Sequence, residues 1–227
     1  MQSAAPAPKV LIAGATGLVG RELTRQLLAH TPATRLRALV RRPPQPPDER
    51  VQWQAVDFNQ LPALPPADEA YCCLGTTIRQ AGTQAAFRAV DFDAVLAFAQ
   101  ATRAAGVQRF AVVSAMGANK RSANFYSRVK GEMEAAVGAL GFASVVIARP
   151  SLLAGDRGAL DQPARTGERL ALLLTRPVSA LIPKSVRPIA AATVARGMIA
   201  ALRERQPGVR IVESGELQQL GQEQEQV

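Results

Sequence analysis

A tyrosine and a lysine stand four residues apart in the 227-residue chain, at Tyr126 and Lys130. This spacing predicts that a phenol and an ammonium group share one face of a helix. Ser114 ends an earlier apolar stretch, and ligands of open α/β sheets bind at the carboxyl ends of strands. Together these side chains predict a carbonyl-reduction site in which Tyr126 exchanges the substrate proton and Ser114 hydrogen-bonds the carbonyl oxygen. We expect Lys130 to hold ribose hydroxyls and to acidify the phenol; a solvated helix face is the alternative explanation of the spacing alone.

Three glycines at a spacing of three follow the apolar run 9–13 and open an amphipathic segment at 18–29. A strand, a glycine turn and a helix in this order are typical of a dinucleotide site, because missing Cβ atoms let the backbone approach a pyrophosphate. The positive end of the helix dipole would then face the phosphates. A merely tight connection is the alternative. The predicted cofactor contacts in this turn are Gly14, Thr16, Gly17, Leu18, Val19 and Gly20.

The end of the second predicted strand, 35–40, indicates which dinucleotide binds. An acidic residue near this point usually accepts hydrogen bonds from the adenosine ribose. Here Arg41 and Arg42 follow the strand, and no carboxylate comes before Asp48. Two guanidinium groups suit a 2′-phosphate, so the pattern predicts NADP(H), unless both arginines are solvated loop charges.

Length and composition favour one α/β domain, because strand-like and helical stretches alternate and 48% of the residues are hydrophobic. We predict a doubly wound parallel sheet of the Rossmann type over residues 9–215, with a substrate-side insertion at 152–188. Residues 1–8 are predicted to be a flexible tail. The Gln/Glu-rich residues 216–227 are predicted to be a solvated helix or disordered.

The finer pattern predicts the remaining elements from apolar runs, helical periodicity, and glycine or proline boundaries. The predicted strands are 51–56, 69–74, 109–114, 144–148 and 209–213, and the predicted helices are 84–105, 125–140 and 192–204.

The net charge of +9 raises the question of a nucleic-acid partner. The basic residues are scattered and aromatic residues make up only 4% of the chain, so we expect no nucleic acid to bind. Attraction of an anionic cofactor explains the charge. A small-molecule substrate is the expected partner, and the sequence does not indicate an oligomeric state.

Cys72 and Cys73 are adjacent, which favours two small core residues over a disulfide or metal ligands. The single His30 cannot by itself make a zinc site, and we expect no metal. The chain has neither a secretory-signal pattern at its first residues nor a run of about 18 apolar residues. These features predict a cytoplasmic protein that does not bind membranes.

Five segments occur in an order that resembles the atypical short-chain dehydrogenases/reductases of the Tat-interacting-protein-like oxidoreductase branch. The resemblance covers roughly residues 10–213 and implies a Rossmann fold that binds NADP(H). It matches Ser114, Tyr126 and Lys130 to the family's catalytic serine, tyrosine and lysine. The segments are the glycine turn, 72–77, 113–118, 126–132 and 149–153.

The same resemblance implies that Asp57 lies near the adenine and that Gly75 and Thr76 pass beside the cofactor. The chain departs from the family at one position. Many relatives have an asparagine in the helix after the fourth strand, and this chain has Asp91. The departure puts the family's proton-relay asparagine in doubt.

Three functions remain open at this point. The serine, tyrosine and lysine favour an NADPH-dependent reductase of a small carbonyl or quinone-like substrate. A non-catalytic NADP(H)-binding regulator or scaffold would not need all three. A sugar-nucleotide epimerase or dehydratase normally needs a larger substrate domain than residues 151–188 supply. The many leucines of 152–188 favour a lipophilic substrate.

Overall fold

The computed structural model describes residues 8–30, 35–154 and 187–223. Most of the predicted insertion 152–188, including the leucines expected to line a substrate wall, lies outside the described residues. The strands are β1 (Lys9–Ala13), β2 (Arg35–Val40), β3 (Val51–Ala55), β4 (Glu69–Cys72), β5 (Arg109–Val113), β6 (Ser144–Arg149), β7 (Leu153–Ala154), β8 (Ile189–Ala190) and β9 (Gly208–Glu213). The helices are α1 (Leu18–His30), α2 (Ile78–Ala81), α3 (Gln84–Arg88), α4 (Val95–Ala104), α5 (Phe125–Gly138), α6 (Ala191–Arg203) and α7 (Ser214–Glu223), with a π-helical turn at Ala89–Ala94 between α3 and α4.

Seven of the strands form one parallel sheet in the order β3-β2-β1-β4-β5-β6-β9, and β7 pairs with β8 separately. The chain moves outward from β1 in one direction through β2 and β3, and in the other through β4, β5 and β6. The order therefore reverses between β1 and β4, which places a crevice at their carboxyl ends. This topology confirms the predicted doubly wound sheet of the Rossmann type.

Alternation along β1 explains why helices cover both faces of the sheet. Val10 and Ile12 are buried in a cluster that includes side chains of α1 and α6. Leu11 and Ala13 point the other way, into a cluster with side chains of α4 and α5. A central parallel strand is thus apolar on both faces, and the continuous apolar run read from the sequence has this physical origin.

The predicted single helix 84–105 is wrong in detail, because the structure divides it into α3, the π-helical turn and α4. Another short helix, α2, precedes it and ends at Gly82, whose φ of +79° suits a residue without a Cβ. Thr83 then caps α3 by accepting a hydrogen bond from the backbone N–H of Ala86. The π-helical turn carries Asp91 into the interior, where it is fully buried.

The first part of the predicted C-terminal tail packs against the sheet domain. Leu217 of α7 is fully buried, and a Cβ at Gly221 would lie 2.7 Å from the carbonyl oxygen of Thr193 in α6. The Gln/Glu-rich composition of this segment did not indicate that one side of the helix is apolar. The helix expected to be solvated is therefore covered on one side as far as residue 223.

Candidate active site

The turn between β1 and α1 requires glycine at two positions. Gly14 has a φ of +81°, and a Cβ there would lie 2.5 Å from the carbonyl carbon and oxygen of Cys73. A Cβ at Gly20 would lie 2.0 Å from the carbonyl oxygen of Gly14. At Gly17, by contrast, a Cβ would meet no atom closer than 3.4 Å. Packing within the protein thus explains Gly14 and Gly20 but not Gly17.

The turn fits the diphosphate of a dinucleotide. The space in front of Gly17 is open, and the neighbouring Thr16 side chain is exposed. Helix α1 starts directly after Gly17, with the backbone N–H groups of Leu18, Val19 and Gly20. The first N–H groups of a helix have no acceptor within their own helix. Donors at a helix N-terminus, beside a backbone that a ligand can approach closely, suit phosphate oxygens.

Arg41 and Arg42 directly follow β2 at the same edge of the sheet, and both are exposed. Neither forms an ion pair with another described residue. Asp57 follows the neighbouring strand β3 and is also exposed. Its carboxylate accepts hydrogen bonds from the backbone N–H and the side-chain amide of Asn59, each at 2.9 Å. The two arginines are thus open to an anionic ligand, while Asp57 is fixed by its own turn.

The loop after β4 joins the glycine turn to the second half of the site. The backbone of Cys73 lies against Gly14, as described above. Two residues later, a Cβ at Gly75 would lie 3.5 Å from Asp91 Oδ1 and 3.9 Å from Lys130 Nζ. Three residues of one loop therefore span the distance between the predicted phosphate turn and the predicted catalytic lysine.

Helix α5 presents Tyr126 and Lys130 from its first two turns. Asn124 starts the helix by accepting a hydrogen bond from the backbone N–H of Ser127 at 3.1 Å. The Tyr126 ring is half-buried and packs against the ring of Phe87 in α3, with centroids 5.4 Å apart. Aromatic packing of this kind holds the ring in place.

Lys130 is buried and forms an ion pair with Asp91. The distance from Nζ to Oδ1 is 2.6 Å, and the exposed fractions of the two side chains are 4% and 1%. Burial is the largest effect and lowers the pKa of Lys130. The charge and hydrogen bond of Asp91, together with Tyr126 and Cys72, more than offset it, so the pKa is raised above its ordinary value. The expected ammonium at the site is present, and a carboxylate compensates its charge.

Ser114 is also bound to a carboxylate. Its hydroxyl donates to Glu134 Oε1 at 2.5 Å, and both residues are buried. Arg149 of β6 holds the same carboxylate with two hydrogen bonds, from Nε at 2.9 Å and from Nη2 at 2.6 Å, and its Nη1 donates to Glu213 at 3.0 Å. The hydrogen bond to Glu134 is the main cause that raises the pKa of the Arg149 guanidinium above its ordinary value. In this arrangement the Ser114 proton points towards Glu134.

The site contains two residues that were not predicted from the sequence, Glu134 and Arg149. A signal for Glu134 was available, since it follows Lys130 by four residues as Lys130 follows Tyr126, and all three lie along one helix face. Arg149 ends β6, next to β5, so it meets Glu134 only through the fold.

The adjacent cysteines are packed as small residues: Cys72 is fully buried and Cys73 is half-buried. Burial raises the pKa of the Cys72 thiol to about 12. Among residues 8–30, 35–154 and 187–223, no three His, Cys, Asp or Glu side chains are grouped so as to hold a metal ion. None of the helices in those ranges is both long and apolar enough to cross a membrane.

The chain is similar in sequence to known proteins. A family model described as NAD(P)H-binding matches residues 14–170. The chain is 38% identical over 169 residues to protein HTATIP2 of Rattus norvegicus, a match that covers 71% of this chain and 68% of the rat protein. It is 35% identical over 158 residues to the mitochondrial protein fmp52 of Emericella nidulans, covering 65% of this chain and 68% of that protein.

Solved structures share the fold at much lower identity. UDP-N-acetylglucosamine 4-epimerase from Methanobrevibacter ruminantium M1 superposes with a TM-score of 0.68 at 14% identity, covering 92% of this chain and 77% of that chain. This likeness concerns the Rossmann fold alone. The matched segment and the curated relatives identify this chain as a member of the NAD(P)H-binding family, within the atypical short-chain dehydrogenases/reductases that include HTATIP2 and fmp52.

Proposed function

We propose that the chain is an NADPH-dependent oxidoreductase that reduces a small, lipophilic carbonyl or quinone-like substrate. The observation that carries the proposal is the loop 73–75, which touches Gly14 of the phosphate turn at one end and lies beside Lys130 at the other. A dinucleotide on the turn would extend along this loop to the residues that could handle a proton.

Bound NADPH would supply the hydride that reduces the carbonyl carbon. Tyr126 would donate the proton that the carbonyl oxygen takes up, and the phenol would recover a proton from solvent. Lys130 would bind ribose hydroxyls, because an ammonium has three N–H donors and Asp91 uses only part of this capacity. Ser114 would donate to the carbonyl oxygen only after its hydroxyl turns away from Glu134.

The preference for NADP(H) rests on Arg41 and Arg42, which are exposed at the end of β2, where the adenosine ribose of a dinucleotide is bound in this fold.

The cytoplasmic location expected from the sequence remains a proposal. The Emericella nidulans relative carries the word mitochondrial in its name.

A non-catalytic NADP(H)-binding regulator is the second candidate, and one observation favours it. Two of the three proposed catalytic groups already have carboxylate partners, Lys130 with Asp91 and Ser114 with Glu134. A protein whose site only binds the dinucleotide could keep both groups in this paired state.

Steady-state oxidation of NADPH against a panel of aldehydes, ketones and quinones separates the two candidates. The reductase proposal expects turnover by the wild-type protein and a loss of 10²-fold or more in Tyr126→Phe, the usual size of a lost general acid. Binding of NADPH should be nearly unchanged in this variant, because the ring still packs on Phe87 and only the hydroxyl is removed. Wild-type turnover in Tyr126→Phe would remove the catalytic role of the phenol. Tight NADPH binding without turnover of any substrate would favour the regulator.

A further inference from the structure

Asp91 is the most deeply buried carboxylate at the site, and its contacts reach two separate elements. Oδ1 lies 2.6 Å from Lys130 Nζ in α5, and Oδ2 accepts a hydrogen bond from the backbone N–H of Thr76 at 2.8 Å. The residue itself belongs to the π-helical turn between α3 and α4. One carboxylate therefore connects the loop after β4 to the helix that carries Tyr126 and Lys130.

Burying this ion pair removes both charges from water, which costs free energy. An isolated ammonium away from water would lose its proton rather than stay charged. A pair of apolar side chains would fill the same space without that cost. Gly75, which lies beside both charged groups, leaves an approach to them from the crevice, because the residue is exposed and has no side chain to cover them.

We propose that Asp91 is a positioning residue for cofactor binding, which holds the Lys130 ammonium in place and charged so that it can bind the ribose hydroxyls of the dinucleotide. The inference rests on the ribose-binding role of Lys130 in the proposed function. It does not depend on whether the bound cofactor is then oxidised.

The charged state of Lys130 should depend on Asp91 more than on any other neighbour. The titratable groups that face the ammonium are Asp91 from the π-helical turn, Tyr126 from its own helix and Cys72 from β4. Burial lowers the pKa of Lys130, whereas Asp91 above all, with smaller effects of Tyr126 and Cys72, raises it, and the net change is an increase. If the carboxylate is removed, the effect of burial remains, so the pKa of Lys130 should fall below its ordinary value. The ammonium would then be lost as the pH rises through that lower pKa.

Calorimetric titration with NADPH between pH 7.0 and 9.5 tests this dependence. Asp91→Asn keeps the shape of the side chain and its acceptor for the Thr76 N–H, but removes the charge. As the pH rises from 7.0 to 9.5, we expect the NADPH affinity of Asp91→Asn to fall at least about tenfold more than that of the wild type. Asp93→Asn is the matched control, since Asp93 is an exposed residue of the same turn, and its profile should follow the wild type. Asp91→Glu restores the charge and should recover most of the high-pH affinity.

A second variant makes the test independent of the folding of Asp91→Asn. Lys130→Gln should weaken NADPH binding at least about tenfold at pH 7.0 and give an affinity that no longer depends on Asp91. Wild-type affinity in Lys130→Gln would overturn the proposal, and so would an Asp91→Asn profile as flat as that of Asp93→Asn. No turnover is needed for these titrations, so a failed reductase assay would leave their outcome interpretable.

Discussion

At the level of single residues, the proposed preference for NADP(H) depends on two arginines at the end of one strand. Arg41 and Arg42 are exposed, no described carboxylate pairs with them, and they directly follow β2. Each charge-assisted hydrogen bond to a 2′-phosphate contributes on the order of 1.5–3 kcal/mol. We therefore expect NADPH to bind at least about tenfold more tightly than NADH.

The double variant Arg41→Ala, Arg42→Ala should lose this preference by weakening NADPH binding while leaving NADH binding nearly unchanged. Calorimetric titration with both cofactors measures the ratio. Arg35→Ala is a suitable control, because Arg35 is an exposed arginine at the opposite end of the same strand. Equal affinities of the wild type for the two cofactors would contradict the assignment.

The type and sequence position of Ser114 do not determine the direction of its hydroxyl. Its type and its place after β5 predict contact with a carbonyl oxygen, and the structure does place it at that edge of the sheet. Its backbone N–H donates to the Ala148 carbonyl oxygen at 2.7 Å, which continues the pairing of β5 with β6. The direction of the hydroxyl depends on Glu134 and Arg149, which come from two other elements. No local pattern around Ser114 contains that information.

At the level of elements, the position of α5 depends on a glycine beside the proposed catalytic lysine. A Cβ at Gly131 would lie 2.2 Å from the backbone nitrogen of Lys120 and 2.3 Å from the carbonyl carbon of Asn119. Helix α5 therefore lies almost in contact with the loop that follows β5. That close approach brings Lys130 and Glu134 down onto the sheet.

Two glycines in this helix give a matched pair of variants. Gly131→Ala should destabilise the protein by about 1–3 kcal/mol, since backbone atoms of the facing loop must move. Gly138→Ala should be neutral or stabilising by up to about 1 kcal/mol, because alanine favours the helix and its Cβ would meet only the two methyl groups of the exposed Val209, at 3.3 and 4.0 Å. Urea unfolding of both variants measures the difference. Equal stabilities would show that the loop yields without cost.

The predicted and observed elements differ most where a long-range contact changes the local backbone. The seven strands of the main sheet are found within one or two residues of their predicted bounds, and the central ones are continuous apolar runs because they are buried on both faces. The single helix predicted at 84–105 has no sequence signal for a π-helical turn. The turn appears where Asp91 is buried against Lys130, a residue 39 positions later in the chain.

For the whole molecule, hydrophobic periodicity and glycine spacing were sufficient to predict the doubly wound sheet. They were not sufficient to predict the carboxylate partners, since Asp91 and Glu134 find Lys130 and Ser114 only when separate elements pack together. Neither the sequence pattern nor the fold identifies the substrate. A shared fold with a sugar-nucleotide epimerase at 14% identity carries no information about it.

Exposed apolar side chains in the described part of the chain indicate the polarity of the proposed substrate. Five large apolar residues are exposed there, and three of them follow β4, β5 and β6 at the carboxyl edge: Ile78, Met116 and Leu152, with exposed fractions of 39%, 44% and 41%. The other two, Val209 and Ile211, lie on the edge strand β9. Apolar groups at the edge where ligands bind favour a lipophilic ligand over a polyhydroxylated one.

We therefore expect NADPH-dependent turnover of lipophilic aldehydes, ketones or quinones and little turnover of sugar nucleotides. Ile78→Thr should raise KM for a lipophilic substrate about fivefold, which corresponds to the loss of about 1 kcal/mol of apolar burial. Ile211→Thr makes the same change at a similarly exposed isoleucine (42%) within the edge strand β9, and its KM should match the wild type. Equal effects of the two substitutions would remove Ile78 from the substrate surface. Robust activity confined to nucleotide sugars would overturn the lipophilic assignment, because three exposed apolar side chains would then face a ligand that gains nothing from burying them.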